Sequence, residues 1–183
     1  FAGYKVHFTP TNRGFLEDEE VQRLIEKEFH SKRLEQVRDF FLFSIFTGLA
    51  YTDIKNLTSK NIVELNDRIW IIKSREKTDV SSHIPMLPMA ASIIEKYKGQ
   101  CKDEHLLPIP SNQKMNSYLK EIADFCGIDK RLTCHLGRHT FATMTLSKGV
   151  PIESVSHMLG HTSIRTTQIY ARINATKIEQ DMD

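Results

Sequence analysis

Tyr170 follows His161 by nine residues in LGHTSIRTTQIYARI (159–173), a stretch with two arginines and no carboxylate. A phenol ionises near pH ~10, so as a nucleophile it needs help from cationic or proton-accepting neighbours. Such residues lie upstream. His135 and Arg138 are three apart in CHLGRHTFAT (134–143), a spacing that on a helix, or at its entry, points both side chains the same way. Lys77 falls at the tip of a candidate hairpin, where a long side chain can reach over a surface. The set is one phenol, two imidazoles, one guanidinium and one ammonium. It suits transfer of a phosphodiester to a tyrosine. Fixed Arg and His donors stabilise the charge that builds on the non-bridging oxygens, and a lysine can protonate the departing 5′ oxygen. Side-chain cations make a metal unnecessary, so neither metal nor cofactor is expected.

Taken singly, each residue has an ordinary reading. A tyrosine on an amphipathic helix is usually packing. His139, and to a lesser degree His135, fits a buried hydrogen-bonded position. Gly-His after a helix fits a C-cap, and Lys77 fits solvated surface. The joint order and spacing is the signal. His135 and His139 also have the i, i+4 spacing of zinc ligands, but Arg138 beside them and the missing glutamate of H-E-x-x-H weigh against a metal hydrolase.

The elements that must position these residues are readable from periodicity. Helices are expected over 17–29, with Val21, Leu24, Ile25 and Phe29 on one face, and over 34–47, apolar almost all round and therefore central. Gly48 ends the second, and a short helix over 52–57 takes Thr52 as its N-cap. The period then changes to two. Strands at 61–65 and 68–74 flank an Asn66-Asp67 turn, a third strand spans 81–87, and residues 75–79 connect the last two. Helices resume at 88–98, opened by Pro88, and in a long helix carrying Met115, Tyr118, Leu119, Ile122, Ala123 and Cys126 that closes at Gly127. Further helices cover 136–149, then Pro151 to Gly160, and one from about Ser163 that carries Tyr170. The class is mainly α with a small antiparallel β-sheet, that is α+β.

Composition sets bounds. The 183 residues suit one domain with a real core. No apolar run approaches the ~20 residues that span a bilayer, so no membrane partner is expected. Three cysteines, Cys101, Cys126 and Cys134, lack metal-site spacing and read as reduced thiols of a cytoplasmic protein. Net charge is only +2, but 128–172 holds six Lys/Arg against two acids and adds four histidines. One basic face on a near-neutral protein suits a polyanion docking from one side. Residues 1–14 read as a linker from an upstream domain, 15–173 as the catalytic domain, and 174–183 as a polar, helical tail.

The combination HLGRHTFAT … MLGHTSIRTTQIYARI closely resembles the catalytic domain of tyrosine recombinases, the phage-integrase family. The family signature is His-x-x-Arg, then Leu-Gly-His, then a tyrosine some nine residues on. FTGLAYTDIKNL (46–57) extends the likeness to the family's first-arginine box, so that it covers residues 15–175. The finer details resemble integrases of Bacteroides-type mobile elements. The resemblance implies that Tyr170 attacks a DNA phosphate, giving a 3′-phosphotyrosyl link and a free 5′ hydroxyl. It implies that Arg138 and His161 bind the phosphate, that His135 assists proton transfer, that Lys77 is the general acid, and that Asp53 braces the site. It further implies double-stranded DNA as partner, a tetramer on that DNA, tail docking on a neighbouring protomer, and an N-terminal core-binding domain that these residues do not include.

The match breaks at one position. The family's first arginine follows Thr-Gly-Leu, and here Ala50 stands there. Alanine cannot neutralise a phosphate, and loss of such a contact costs about 10²–10³ in rate. Either the domain is inactive or another cation fills the gap. Arg75 is the candidate, because in an extended strand it shares a face with Lys77; Lys73, Lys55 and Lys60 are lesser ones.

Overall fold

The computed structural model describes residues 14–75, 79–101 and 103–171. Helices α1 (Asp18–Glu26), α2 (Lys32–Thr47) and α3 (Tyr51–Lys55) come first. Strands β1 (Ile62–Leu65), β2 (Arg68–Ser74) and β3 (Ser81–Pro85) follow a short 3-10 turn. Helices α4 (Pro88–Tyr97), α5 (Asn112–Cys126), α6 (Cys134–Ser147) and α7 (Ile152–Met158) complete the named elements, and residues 164–171 are again helical. The fold is thus the expected α+β class. Most of the linker expected at 1–14, the tail at 174–183 and the hairpin tip with Lys77 lie outside the described residues.

α2 is the axis of the domain. Ten of its sixteen residues are buried, including Phe40, Phe41 and Phe43, and it packs on α1, α4, α5 and α6. Gly137 lets α6 approach closely, since a Cβ there would meet Ser44 Oγ at 3.1 Å and the Phe41 ring at 3.2 Å. Gly48 ends α2 in the left-handed conformation (φ 67°) as expected, and a Cβ on it would sit 2.4 Å from the Phe141 ring.

The sheet has the expected antiparallel order β1-β2-β3. Asn66 (φ 51°) and Asp67 (φ 59°) make a two-residue turn with both positions left-handed, which sets the register Leu65↔Arg68 and Ile62↔Ile71. β2 pairs with β3 from Trp70↔Pro85 to Ser74↔Ser81. Ile71 and Ile84 face each other in the core, and period-two alternation carries the same face of β2 outward through Lys73 to Arg75.

Boundaries differ from expectation where tertiary contacts intervene. α1 stops at Glu26 rather than 29, because Arg38 Nη1 reaches the carbonyls of Leu24, Ile25 and Lys27 and caps the end. Phe29 packs from beyond the helix, edge-on to Phe125. α3 takes Ala50, not Thr52, as its N-cap: the Ala50 carbonyl already accepts from the Ile54 amide, and the helix ends at Lys55. α6 begins two residues before the expected 136, where Thr133 Oγ1 accepts from the Leu136 amide. Among the described residues no helix is long and apolar enough to cross a membrane.

Candidate active site

Arg138 is the hub of the site. It is buried on α6, and its guanidinium donates to the Gly48 carbonyl (2.6 Å) and to the Leu159 carbonyl. These carbonyls stand at the C-terminal ends of α2 and α7, where helices leave acceptors unpaired. One side chain therefore ties three helices together. Burial, reinforced by the neighbouring Arg75 guanidinium, draws Arg138 down to about 10 against opposing pulls from Tyr170 and Asp53.

His161 enters from the turn after α7. Gly160 takes a left-handed conformation (φ 58°), and the His161 amide closes on the Ser156 carbonyl. Its Nδ1 lies 2.8 Å from Thr167 Oγ1. Burial, then the charges of Arg138, Arg75 and His139, lower His161 to about 4, so the ring is neutral at neutral pH.

Tyr170 stands on the 164–171 helix and is 5% exposed. It joins a small cluster with Phe141, Ala142, Val155 and Leu159, which docks its helix onto α6 and α7. Its ring is not walled off in that cluster. His161 stacks along one face (centroids 6.4 Å apart, planes 10° apart), and His139 meets it edge-on at 4.9 Å. His135 is exposed beyond His139, with the two Nε2 atoms 2.9 Å apart. An open pocket of about 360 Å³ at these two histidines is rimmed by Lys130 and Arg131.

Arg75 comes to the same place from the sheet. Its aliphatic stem lies over Gly160, where an added Cβ would stand 2.6 Å from Arg75 Cδ and 2.5 Å from Ser82 Oγ. Its Nε is 3.6 Å from the carboxylate of Asp53, which is buried on α3. Ala50, three residues before Asp53, offers no charge. Of the lesser candidates, Lys55 is exposed and Lys60 pairs at the surface with Glu104 (3.2 Å), while Lys73 is half-buried on β2. The structure thus gathers Tyr170, Arg138, His161, Arg75 and Asp53, with His135 at the rim.

The sequence profile of the phage integrase family matches residues 14–177. The chain belongs to the phage integrase family. Tyrosine recombinase XerD of Listeria monocytogenes is 30% identical over 177 residues, covering 88% of this chain and 58% of that protein. The chain therefore spans less than two thirds of the length of such curated relatives. The solved structure of XerH site-specific recombinase bound to palindromic difH substrate matches with a TM-score of 0.74 at 21% identity, over 93% of this chain and 52% of that one. The Tn1549 transposon integrase in complex with circular intermediate DNA matches with a TM-score of 0.70 at 17% identity, over 91% and 67%. These two likenesses establish the fold.

In this integrase-family domain two neighbours of the tyrosine escaped sequence reasoning. His139 reads as a core histidine and is indeed buried, but it bridges His135 and Tyr170; its i+4 spacing from His135 is the signal. Thr167 is fully buried against His161. Its one cue is that it falls one turn before Tyr170, on the same face. Among the described residues no group of three or more His, Cys, Asp or Glu stands ready to hold a metal.

Proposed function

We propose that this chain is the catalytic part of a tyrosine-type site-specific DNA recombinase, cleaving and rejoining double-stranded DNA through a 3′-phosphotyrosyl intermediate. The observation that carries this reading is the setting of Tyr170: buried, flanked by His161 and His139, and close enough to Arg138 to act on its charge. A tyrosine there for packing alone does not need three nitrogenous neighbours.

In this mechanism Tyr170 Oη attacks phosphorus while the bond to O5′ breaks. The phenol proton leaves toward His135, and Lys77 protonates O5′. Arg138 and His161 hold the non-bridging oxygens. One phosphate ester replaces another, so bond energy is conserved and no nucleotide cofactor is needed. Arg75, braced by Asp53, supplies the cation that Ala50 does not; its position beside Arg138 and His161 supports this role. A second reading, a DNA-binding module without chemistry, is favoured only by Ala50.

The working enzyme on this reading is a bacterial cytoplasmic protein, bound to the nucleoid through its DNA. It is a tetramer on DNA, with 174–183 docking on a neighbouring protomer and 1–14 linking 15–173 to an N-terminal core-binding domain. A mobile element is the expected setting, in keeping with the likeness to the Tn1549 transposon integrase. A nicked suicide substrate tests the reading. Covalent protein–DNA adduct that disappears in Tyr170→Phe supports it; DNA binding without adduct supports the second reading.

A further inference from the structure

We infer that Thr167 is a positioning residue that sets the tautomer of His161, holding the Nε2 proton toward the scissile phosphate, and does so only when the tyrosine helix is docked. The inference rests on the recombinase reading and deepens it.

Thr167 is 0% exposed, so its hydroxyl has no water to donate to. Other threonines here give that proton to the carbonyl four residues back, buried Thr140 to Leu136, buried Thr47 to Phe43 and half-buried Thr145 to Phe141, while buried Thr143 has no partner among the described residues. Thr167 does neither. Among the described residues the one partner within reach of its Oγ1 is His161 Nδ1, at 2.8 Å. If Nδ1 carried the hydrogen and donated to the hydroxyl, the threonine proton would be buried without an acceptor, which native structures avoid. The hydroxyl therefore donates to Nδ1. A neutral imidazole that accepts at Nδ1 must carry its hydrogen on Nε2.

This matters because His161 is neutral. Burial and two guanidiniums disfavour its charged form, so it can donate to a phosphate oxygen only from the nitrogen that holds the single proton. Without Thr167 either tautomer is open, and half of the choices present a lone pair to an anion. The ring's backbone is fixed by α7 through the Ser156 carbonyl, whereas Thr167 rides on the 164–171 helix one turn before Tyr170. The bond consequently joins nucleophile and phosphate ligand. With the tyrosine helix undocked, His161 would lose the partner that orients it.

The test has two arms on the whole chain. The DNA-free arm reads the tautomer of His161 from ring nitrogen shifts of ¹⁵N-histidine protein, assigned by the signal lost in His161→Gln. Wild type is expected to show Nε2–H, Thr167→Val a shift toward Nδ1–H, and Thr167→Ser the wild-type pattern. The second arm measures adduct formation on a nicked substrate at saturating DNA. Thr167→Val is expected to fall about 10- to 100-fold, with Thr167→Ser restoring most of the rate. A wild-type Nδ1–H tautomer overturns the inference whatever the variants do. So does a Val variant with unchanged rate, or one slowed with its tautomer intact. Absence of wild-type adduct contradicts the recombinase reading instead, and the DNA-free arm still decides the direction of the bond.

Discussion

Arg75 Nε lies 3.6 Å from the Asp53 carboxylate, which brings a hairpin cation to the acid that follows the uncharged Ala50. The distance is that of an ion pair rather than a hydrogen bond, and Arg75 Nε is buried without a hydrogen-bond partner among the described residues. Arg75 also sits close enough to lower Arg138 and His161. The two guanidiniums repel each other, and the Asp53 carboxylate offsets part of that repulsion.

Arg75→Ala is expected to lower the rate of adduct formation about 10²–10³-fold, the loss typical of one transition-state donor. Arg75→Lys keeps charge but loses the fork, and falls between the two. Single-turnover cleavage checks this. Unchanged cleavage in Arg75→Ala, with cleavage abolished in Lys77→Ala, removes Arg75 from the phosphate site.

Gly160→Ala has two costs. Its φ of 58° is unfavourable for any residue with a Cβ, by about 1–2 kcal/mol, and that Cβ would meet Ser82 Oγ and the Arg75 stem. We expect a lower thermal midpoint together with a cleavage defect like that of Arg75→Ala. A stability loss with wild-type cleavage per folded molecule would show that Arg75 need not cross Gly160.

Stability should also report on His161. Its folded value of about 4 lies below the ordinary 6.5. The unfolded chain thus takes up the proton first, and the contribution of the neutral ring is complete above pH 6.5 and lost as pH falls toward 4. Thermal midpoints of wild type should drop more across that window than those of His161→Gln. Parallel curves would contradict the neutral assignment.

Asp39 provides a contrast remote from the site. Buried on α2, it accepts from Arg38 Nε (2.7 Å), Lys96 Nζ (2.6 Å) and Tyr97 Oη (2.9 Å). Tyr97 is pushed far up by burial and by this carboxylate. Asp39→Ala strands these groups and is expected to cost about 3 kcal/mol in denaturant unfolding. Adduct formation per folded molecule should not change.

How legible the molecule was in its sequence depends on contact range. Local patterns placed the helices, the Asn66-Asp67 hairpin and the left-handed ends at Gly48 and Gly127, because each depends on a few adjacent residues. Spacing and family resemblance together marked Tyr170, Arg138, His135 and His161. Periodicity could not show that Arg38 would cut α1 short, that Gly48 and Leu159 share one guanidinium, or that Thr167 is buried. Each of those is a meeting of segments whose separation in the chain carries no signal in either neighbourhood. Arg75 stands between these cases: strand alternation puts it on one face with Lys77, and the packing of β3 on α7 brings it to Asp53 and Gly160.

In the proposed reaction Tyr170 becomes esterified to DNA. Protease digestion and mass spectrometry of the product formed on a nicked duplex would locate the modified peptide. The expected product carries a nucleotide attached through its 3′ phosphate to Tyr170, with a free 5′ hydroxyl on the released strand. A linkage to any other residue, or cleavage that leaves no protein attached, would contradict it.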